Sequence, residues 1–298
     1  MLRRLKLEWP LHLMLLPAIV LCLIYEYYPM IGIVMAFQDY LPGRGFFGSP
    51  WVGWKNFEFI FGVPEIGRIL FNTVYIATMK IIAGQIVPIT VAILLNEVRI
   101  QVFKRTFQTM VYLPHFLSWV LLSGILIDIL SPSSGIVNKF LGLFGIEPIY
   151  FLGDEDWFPY VLVISDVWKG FGWGTIVFLA AITTINPNLY EAAEIDGAGR
   201  WKQTLHVTLP GMMPIIILTW TLDLGSVLNA GFDQVFNLYS PQVYSTGDII
   251  DTYVFRLGLE QMQFSVSTAV GLFKSVVSLF LISLSYYLAY RFANYRIF

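Results

Sequence analysis

Hydrophobic positions in this chain run on without interruption rather than alternating. A helix needs about 20 mostly apolar residues to cross a hydrocarbon core of ~30 Å. Six stretches meet that length, at about 11–37, 69–95, 107–130, 159–184, 211–236 and 265–290. Barrel strands would be near ten residues long and would alternate in polarity. The pattern therefore predicts an all-α integral membrane protein with six transmembrane helices. Pro17, Pro29, Pro88, Pro114 and Pro214 fall inside these stretches. Membrane helices accommodate proline when neighbouring groups satisfy the freed carbonyls.

Composition supports this reading. The 298 residues are 57% hydrophobic and 13% charged, against roughly 25% charged in soluble domains. A soluble fold could not cover that much apolar surface. The net charge of −2 exerts no pull on nucleic acid. The single cysteine, Cys22, rules out an internal disulfide framework and a cysteine-rich metal site. The opening "MLRRLKLEWPLHLMLLPAIVLC" is basic and then apolar, as in a signal peptide. Its apolar stretch continues to Phe37, past an h-region of about 7–15 residues, so a retained first span is expected. The whole of 1–298 reads as one membrane domain.

Lys and Arg set the orientation. With the N-terminus inside, inner segments carry ten (Arg3, Arg4, Lys6, Arg99, Lys104, Arg105, Arg200, Lys202, Arg291, Arg296) and outer segments five (Arg44, Lys55, Arg68, Lys139, Arg256). This bias predicts both termini in the cytoplasm. The outer connections contain turn formers ("LPGRGFFGSP", "SPSSG") and are expected to form short helices, with Trp51, Trp54 and Trp157 near the bilayer boundary.

Catalytic constellations are missing from the sequence. "GSPWVGWK" fails as a phosphate loop because Trp54 separates Gly53 from Lys55; the motif needs Gly-Lys-Ser/Thr after four residues. His12 and His115 are expected to pack rather than to ligate. "GFGWG" lies within an apolar span, where the Gly170–Gly174 spacing suits close helix packing.

The most informative segment is a charged insert, "EAAEIDGAGRWKQTLHVTLP", from Glu191 to Pro210. Asn188 is the expected cap of its helix, with Glu191 three residues on as in a capping box and Pro187 blocking extension backwards. Gly197 suits a left-handed helix end. A second short helix is expected from Gly199 or Arg200, and Leu209–Pro210 a turn into the fifth span. A first helix of about nine residues is marginal alone in water, so it calls for a docking surface.

Glu191-Ala192-Ala193, Gly197 and Leu209-Pro210 stand at the spacing of the signature loop of permease subunits of binding-protein-dependent ABC importers, which this chain resembles; Val207 stands where isoleucine is commoner. "YLPHFLSWVLLSGILIDIL", "GIVNKFLG", "FDQVFNLYSP" and "LPAIVLCLIYEYYPMIGIVMAFQDY" are similar to the carbohydrate, maltose-transporter-like branch. The likeness is closest to its oligosaccharide-importing subgroup in Gram-positive bacteria. The resemblance implies a type I ABC importer permease fold in the bacterial cell membrane and import of oligosaccharides; uronate-containing ones are suggested separately, by lysines within the spans. It implies a coupling loop at 186–210 on the cytoplasmic side, with Glu191, Ala192, Ala193, Asp196, Gly197, Arg200, Leu209 and Pro210 docking an ATPase. Implied partners are a second permease subunit, a cytoplasmic ABC ATPase dimer, an extracellular solute-binding protein and membrane lipid. ATP and Mg would be bound by the ATPase and no cofactor by this chain, which is then not itself an enzyme. An ion-coupled secondary transporter, or an ABC permease for a non-sugar solute, is the alternative.

Charged residues inside spans are costly and often functional. Here they are Glu26, Lys80, Asp166, Lys169, Asp223 and Lys274. Asp166 and Lys169, three apart, can pair along a helix, and the three lysines could suit an acidic sugar. Lys169, Trp173, Trp220, Asn229 and Asp233 are candidates for the substrate path, with Trp168 and Phe232 as further rings able to stack on a sugar.

Overall fold

The computed structural model describes residues 2–293 and is helical almost throughout; among the described residues the one β-bridge joins Gln38 to Trp51. Among the described residues, five helices are long and apolar enough to cross a membrane: His12–Phe37, Pro64–Glu97, Phe158–Thr183, Arg200–Gly225 and Phe264–Tyr287. A sixth crossing, the third in chain order, is a broken pair, Gln101–Phe116 and Trp119–Leu130, bent by 105°.

Two predicted spans differ from what forms, the third and the fifth. The third is not one rod. Pro114 lacks an N–H, the helix tightens to a 3₁₀ turn over Leu113–Phe116, and the chain turns extended at Leu117 and Ser118. The Ser118 hydroxyl then caps the next helix by accepting from the Leu121 N–H at 3.4 Å. The fifth span is displaced towards the N-terminus. It begins at Arg200 and ends at Gly225, and Gly231, at φ 92°, starts a separate helix, Phe232–Leu238. In consequence Leu209–Pro210 is no turn but lies within a continuous helix. Pro210 is accommodated by a wider π turn over Thr204–Thr208, in which the Leu209 N–H reaches the Thr204 carbonyl. The first span repeats this device, with a π turn over Leu23–Tyr27 just before Pro29. A proline ring would clash with the carbonyl four residues back; letting in one extra residue relieves it.

The chain divides into two compact units, Met1–Pro64 with Val254–Phe273, and Glu65–Tyr253 with Lys274–Phe298. In the first, Phe37 stacks on Trp51 at 5.7 Å and meets Trp54 edge-on at 5.5 Å. The Asn56 amide donates to the carbonyls of Ala36 and Gln38 at 2.9 and 3.0 Å. The apolar window of the first span is exposed along its length.

The second unit holds two apolar cores. One gathers Ile76, Phe158, Leu162, Ala230, Val235 and Ile249. The other gathers Ala92, Phe178, Ala181, Ile182, Ile185 and Met212, with Tyr190 and Val207 packed against it. Helices in lipid lack a hydrophobic drive to associate, so close approach at small residues matters more. Of the glycines in "GFGWG", Gly172 makes the closest approach: a Cβ there would lie 2.1 Å from the Val111 carbonyl oxygen. Gly174 faces Pro88 at 3.0 Å, and Gly170 faces open space. Several hydroxyls within spans donate to their own helix, as Thr73 to Ile69 at 2.7 Å and Thr175 to Phe171 at 2.7 Å.

Gly172→Ala is expected to lower thermal stability in detergent by the ~1–3 kcal/mol of an overpacked core. Gly170→Ala should be neutral or slightly stabilising. Unfolding midpoints of the two variants, compared by tryptophan fluorescence, check this.

Candidate functional site: a charged loop and a polar cavity

The loop around Glu191 is a built structure. Its helix spans Pro187–Ile195, and its cap is Asn186 rather than Asn188: the Asn186 side chain accepts from the Asn188 N–H at 3.0 Å. Pro187 takes the first helical position, where its missing N–H costs nothing. Gly197, at φ 74°, ends the helix. The Ala198 N–H reaches the Ala193 carbonyl at 2.8 Å and the Gly197 N–H the Glu194 carbonyl at 3.0 Å, the paired bonds of a Schellman ending. A side chain at Gly197 would strain that geometry.

One side of the loop is fastened. The Tyr190 and Thr208 hydroxyls are 3.0 Å apart, Tyr190 and Val207 pack on the core around Met212, and Ile185 fills the space a Cβ on Gly211 would need, at 2.6 Å. Arg200 forms an ion pair with Glu97, the last residue of the second span. Its other side is open: Glu191, Ala192, Glu194 and Asp196 are exposed, and Ile195 and Trp201 are 87% and 73% exposed. Ala193 and Leu209 are half-buried and Pro210 is exposed.

Further along the same spans lies a cavity of about 250 Å³ with Lys80, Asp166, Asp223, Ser226 and Asn229 in its lining. It sits where the fifth span breaks. Lys80, 9% exposed, donates to the Ala230 carbonyl at 2.7 Å and to Gln234 Oε1, and its ammonium lies 3.7 Å from Asp166. Gln234, fully buried, donates in turn to the Leu162 carbonyl and the Ser165 hydroxyl, both at 2.8 Å. Asp223 accepts from Gln85 Nε2 at 2.5 Å, and Gln85 Oε1 accepts from Thr219 at 3.1 Å. The breakpoint is thus tied to the second and fourth spans.

The structure corrects several sequence expectations here. Asp166 pairs with Lys80 and not with Lys169. Lys169 instead donates to the His115 carbonyl at 2.9 Å and lies 5.6 Å from the Trp119 ring centroid. Trp173 stacks on His115 at 5.0 Å. Lys274 pairs with Asp251 at 2.5 Å. The three lysines proposed to attract an acidic sugar each have partners within the chain. Of the substrate-path candidates, Asn229 lines the cavity. Lys169 and Trp173, on the fourth span, meet the elbow of the third, Trp220 is half-buried on the fifth, and Asp233 is exposed in the first turn of its helix. Gln85 and Gln234 belong to no motif. Gln85 stands out in the sequence as an uncharged amide in a long apolar helix; Gln234, in the short helix Phe232–Leu238, gives no such signal.

The chain belongs to a known family. Residues 81–297 match the model of the binding-protein-dependent transport system inner membrane component. The chain is 44% identical over 284 residues, 95% of its length and 88% of the relative's, to the polygalacturonan/rhamnogalacturonan transport system permease protein YteP of Bacillus subtilis. It is 44% identical over 285 residues, 96% and 89% of the two lengths, to Protein LplB of the same species. It superposes with a TM-score of 0.90 and 38% identity, covering 97% of this chain and 98% of the other, on a chain of a bacterial ABC transporter involved in the import of the acidic polysaccharide alginate. It is a multi-pass membrane protein of the permease type.

Lys80→Met should cost ~3 kcal/mol or more, because it leaves buried acceptors and Asp166 unmatched. Adding Asp166→Asn should recover part of that loss. Thermal unfolding of both variants in detergent checks the order.

Proposed function

We propose that this chain is the transmembrane permease subunit of an ATP-driven importer of oligosaccharides, uronate-containing ones among them, delivered by an extracellular binding protein. The observation that carries the reading is the near full-length likeness to two carbohydrate systems that share acidic cargo: one relative is named for polygalacturonan, and the solved structure is of an alginate importer. A further structure of the alginate transporter is in complex with a periplasmic protein bound to an alginate pentasaccharide, which supports delivery by a binding protein here. The ion-coupled alternative has no support from this family.

In this reading ATP and Mg are held by a separate ATPase dimer, and a second permease subunit faces this one. Both termini and the 186–210 loop lie in the cytoplasm. The exposed side of the loop, with Glu191, Ala192, Asp196 and Gly197, meets the ATPase. The fastened side passes the motion of the ATPase into the fourth and fifth spans. The polar cavity at the break of the fifth span offers carboxylates and an amide to sugar hydroxyls, and Asn229 is the side chain proposed to reach the cargo. A swing from 1:99 to 99:1 between inward- and outward-open states needs about 5.5 kcal/mol of nucleotide-linked preference.

Gly197→Pro and Glu191→Lys are expected to leave the permease inserted but to lower ATPase co-purification by about tenfold, ~1.4 kcal/mol. Wild-type recovery of the ATPase would argue against the docking role. Reconstituted with its partners, the complex should take up oligogalacturonides in an ATP-dependent manner. Uptake of neutral oligomers alone would remove the acidic cargo from the proposal.

A further inference from the structure

We propose that Arg200 is a strut rather than a docking contact. Through Glu97 it makes the second span move with the coupling loop, to which the chain does not join it. The inference rests on the reading that the loop receives force from an ATPase.

The loop is continuous in sequence with the fourth span, which ends at Thr183, and with the helix that starts at Arg200. The second span ends at Glu97 and leads away into Gln101–Tyr112. It nevertheless supplies Lys80 and Gly84 to the cavity wall, so its position helps to set the shape of the cavity. Two contacts link it to the loop region. One is apolar: Ile89, Ala92 and Ile93 share a core with Tyr190, Val207 and Met212. The other is the Arg200–Glu97 ion pair, which joins the first residue of one helix to the last of another and fixes a point.

Arg200 is well placed for this. It follows Gly199, whose extended backbone (ψ 168°) caps the helix, and its own carbonyl accepts from the Thr204 hydroxyl at 3.0 Å. Its backbone is therefore part of the fifth span. Trp201 next to it projects into the open; the Arg200 side chain is itself 58% exposed, but its guanidinium is engaged with Glu97.

The test uses the whole transporter, reconstituted with its partner permease, ATPase and binding protein. The variants are Glu97→Arg, Arg200→Glu and the exchange Glu97→Arg/Arg200→Glu. Each single reversal should lower sugar imported per ATP hydrolysed by about fivefold, which is the ~1 kcal/mol upper range for an exposed pair. Glu97→Arg should retain the ATPase on co-purification, and the exchange should restore coupling to within about twofold of wild type. A purely structural role would lower yield and melting temperature without lowering the transport-to-ATP ratio, and that result would overturn the proposal. So would an unchanged ratio in Glu97→Arg, or loss of the ATPase in Arg200→Glu that the exchange does not recover, which would make Arg200 a docking contact. Gly197→Pro serves as the control: if it keeps its ATPase, the docking role itself is wrong, independently of Glu97.

Discussion

Inside a bilayer every backbone polar group must find its partner in the protein, because lipid offers none. Most of this chain meets that demand with uninterrupted helix. At two places it does not, and each is met by a lysine. Where the fifth span stops, Lys80 donates to the Ala230 carbonyl. At the elbow of the third span, Lys169 donates to the carbonyl of His115. Charges that would be prohibitive in lipid become stable because each sits on an oxygen released by a broken helix. Prolines are handled by a second device, the π turns before Pro29 and Pro210.

The same economy of contacts organises the coupling loop. Its helix is about 14 Å long for nine residues at 1.5 Å each, too short to persist alone. It is defined by a cap at Asn186, a left-handed ending at Gly197 and an inner side fixed through Tyr190 and Arg200. What remains exposed is a ridge with Ile195 and Trp201 among acidic residues. A firm inner side and an open outer side suit the docking role proposed for the loop, since slack in the attachment would absorb any stroke it received.

Much of this could be read from the sequence, for identifiable reasons. Continuous apolar runs are a strong signal because span length is set by bilayer thickness. Gly197 was legible because a left-handed helix end favours glycine. The breaks were not. Pro114 and Pro214 look alike in sequence, yet one ends a rigid segment and the other lies within a helix; the difference arises from what packs around them. Nor could Asp166 be assigned to Lys80, 86 positions away by residue number, when Lys169 stood three residues along the same helix. Local spacing favoured the near partner, while the buried ammonium at the helix break required the far one. Asn188 was displaced as a cap by Asn186 for a simpler reason: Pro187 starts a helix better than it precedes one.

The two lysine-sealed breaks have a mechanical consequence. Straightening either kink, or sliding it by a turn, would take an acceptor from an ammonium ion and uncover an oxygen in the same step. These bends are therefore stiffened joints rather than knees. They favour motion in which whole rods tilt while the elbows keep their angles.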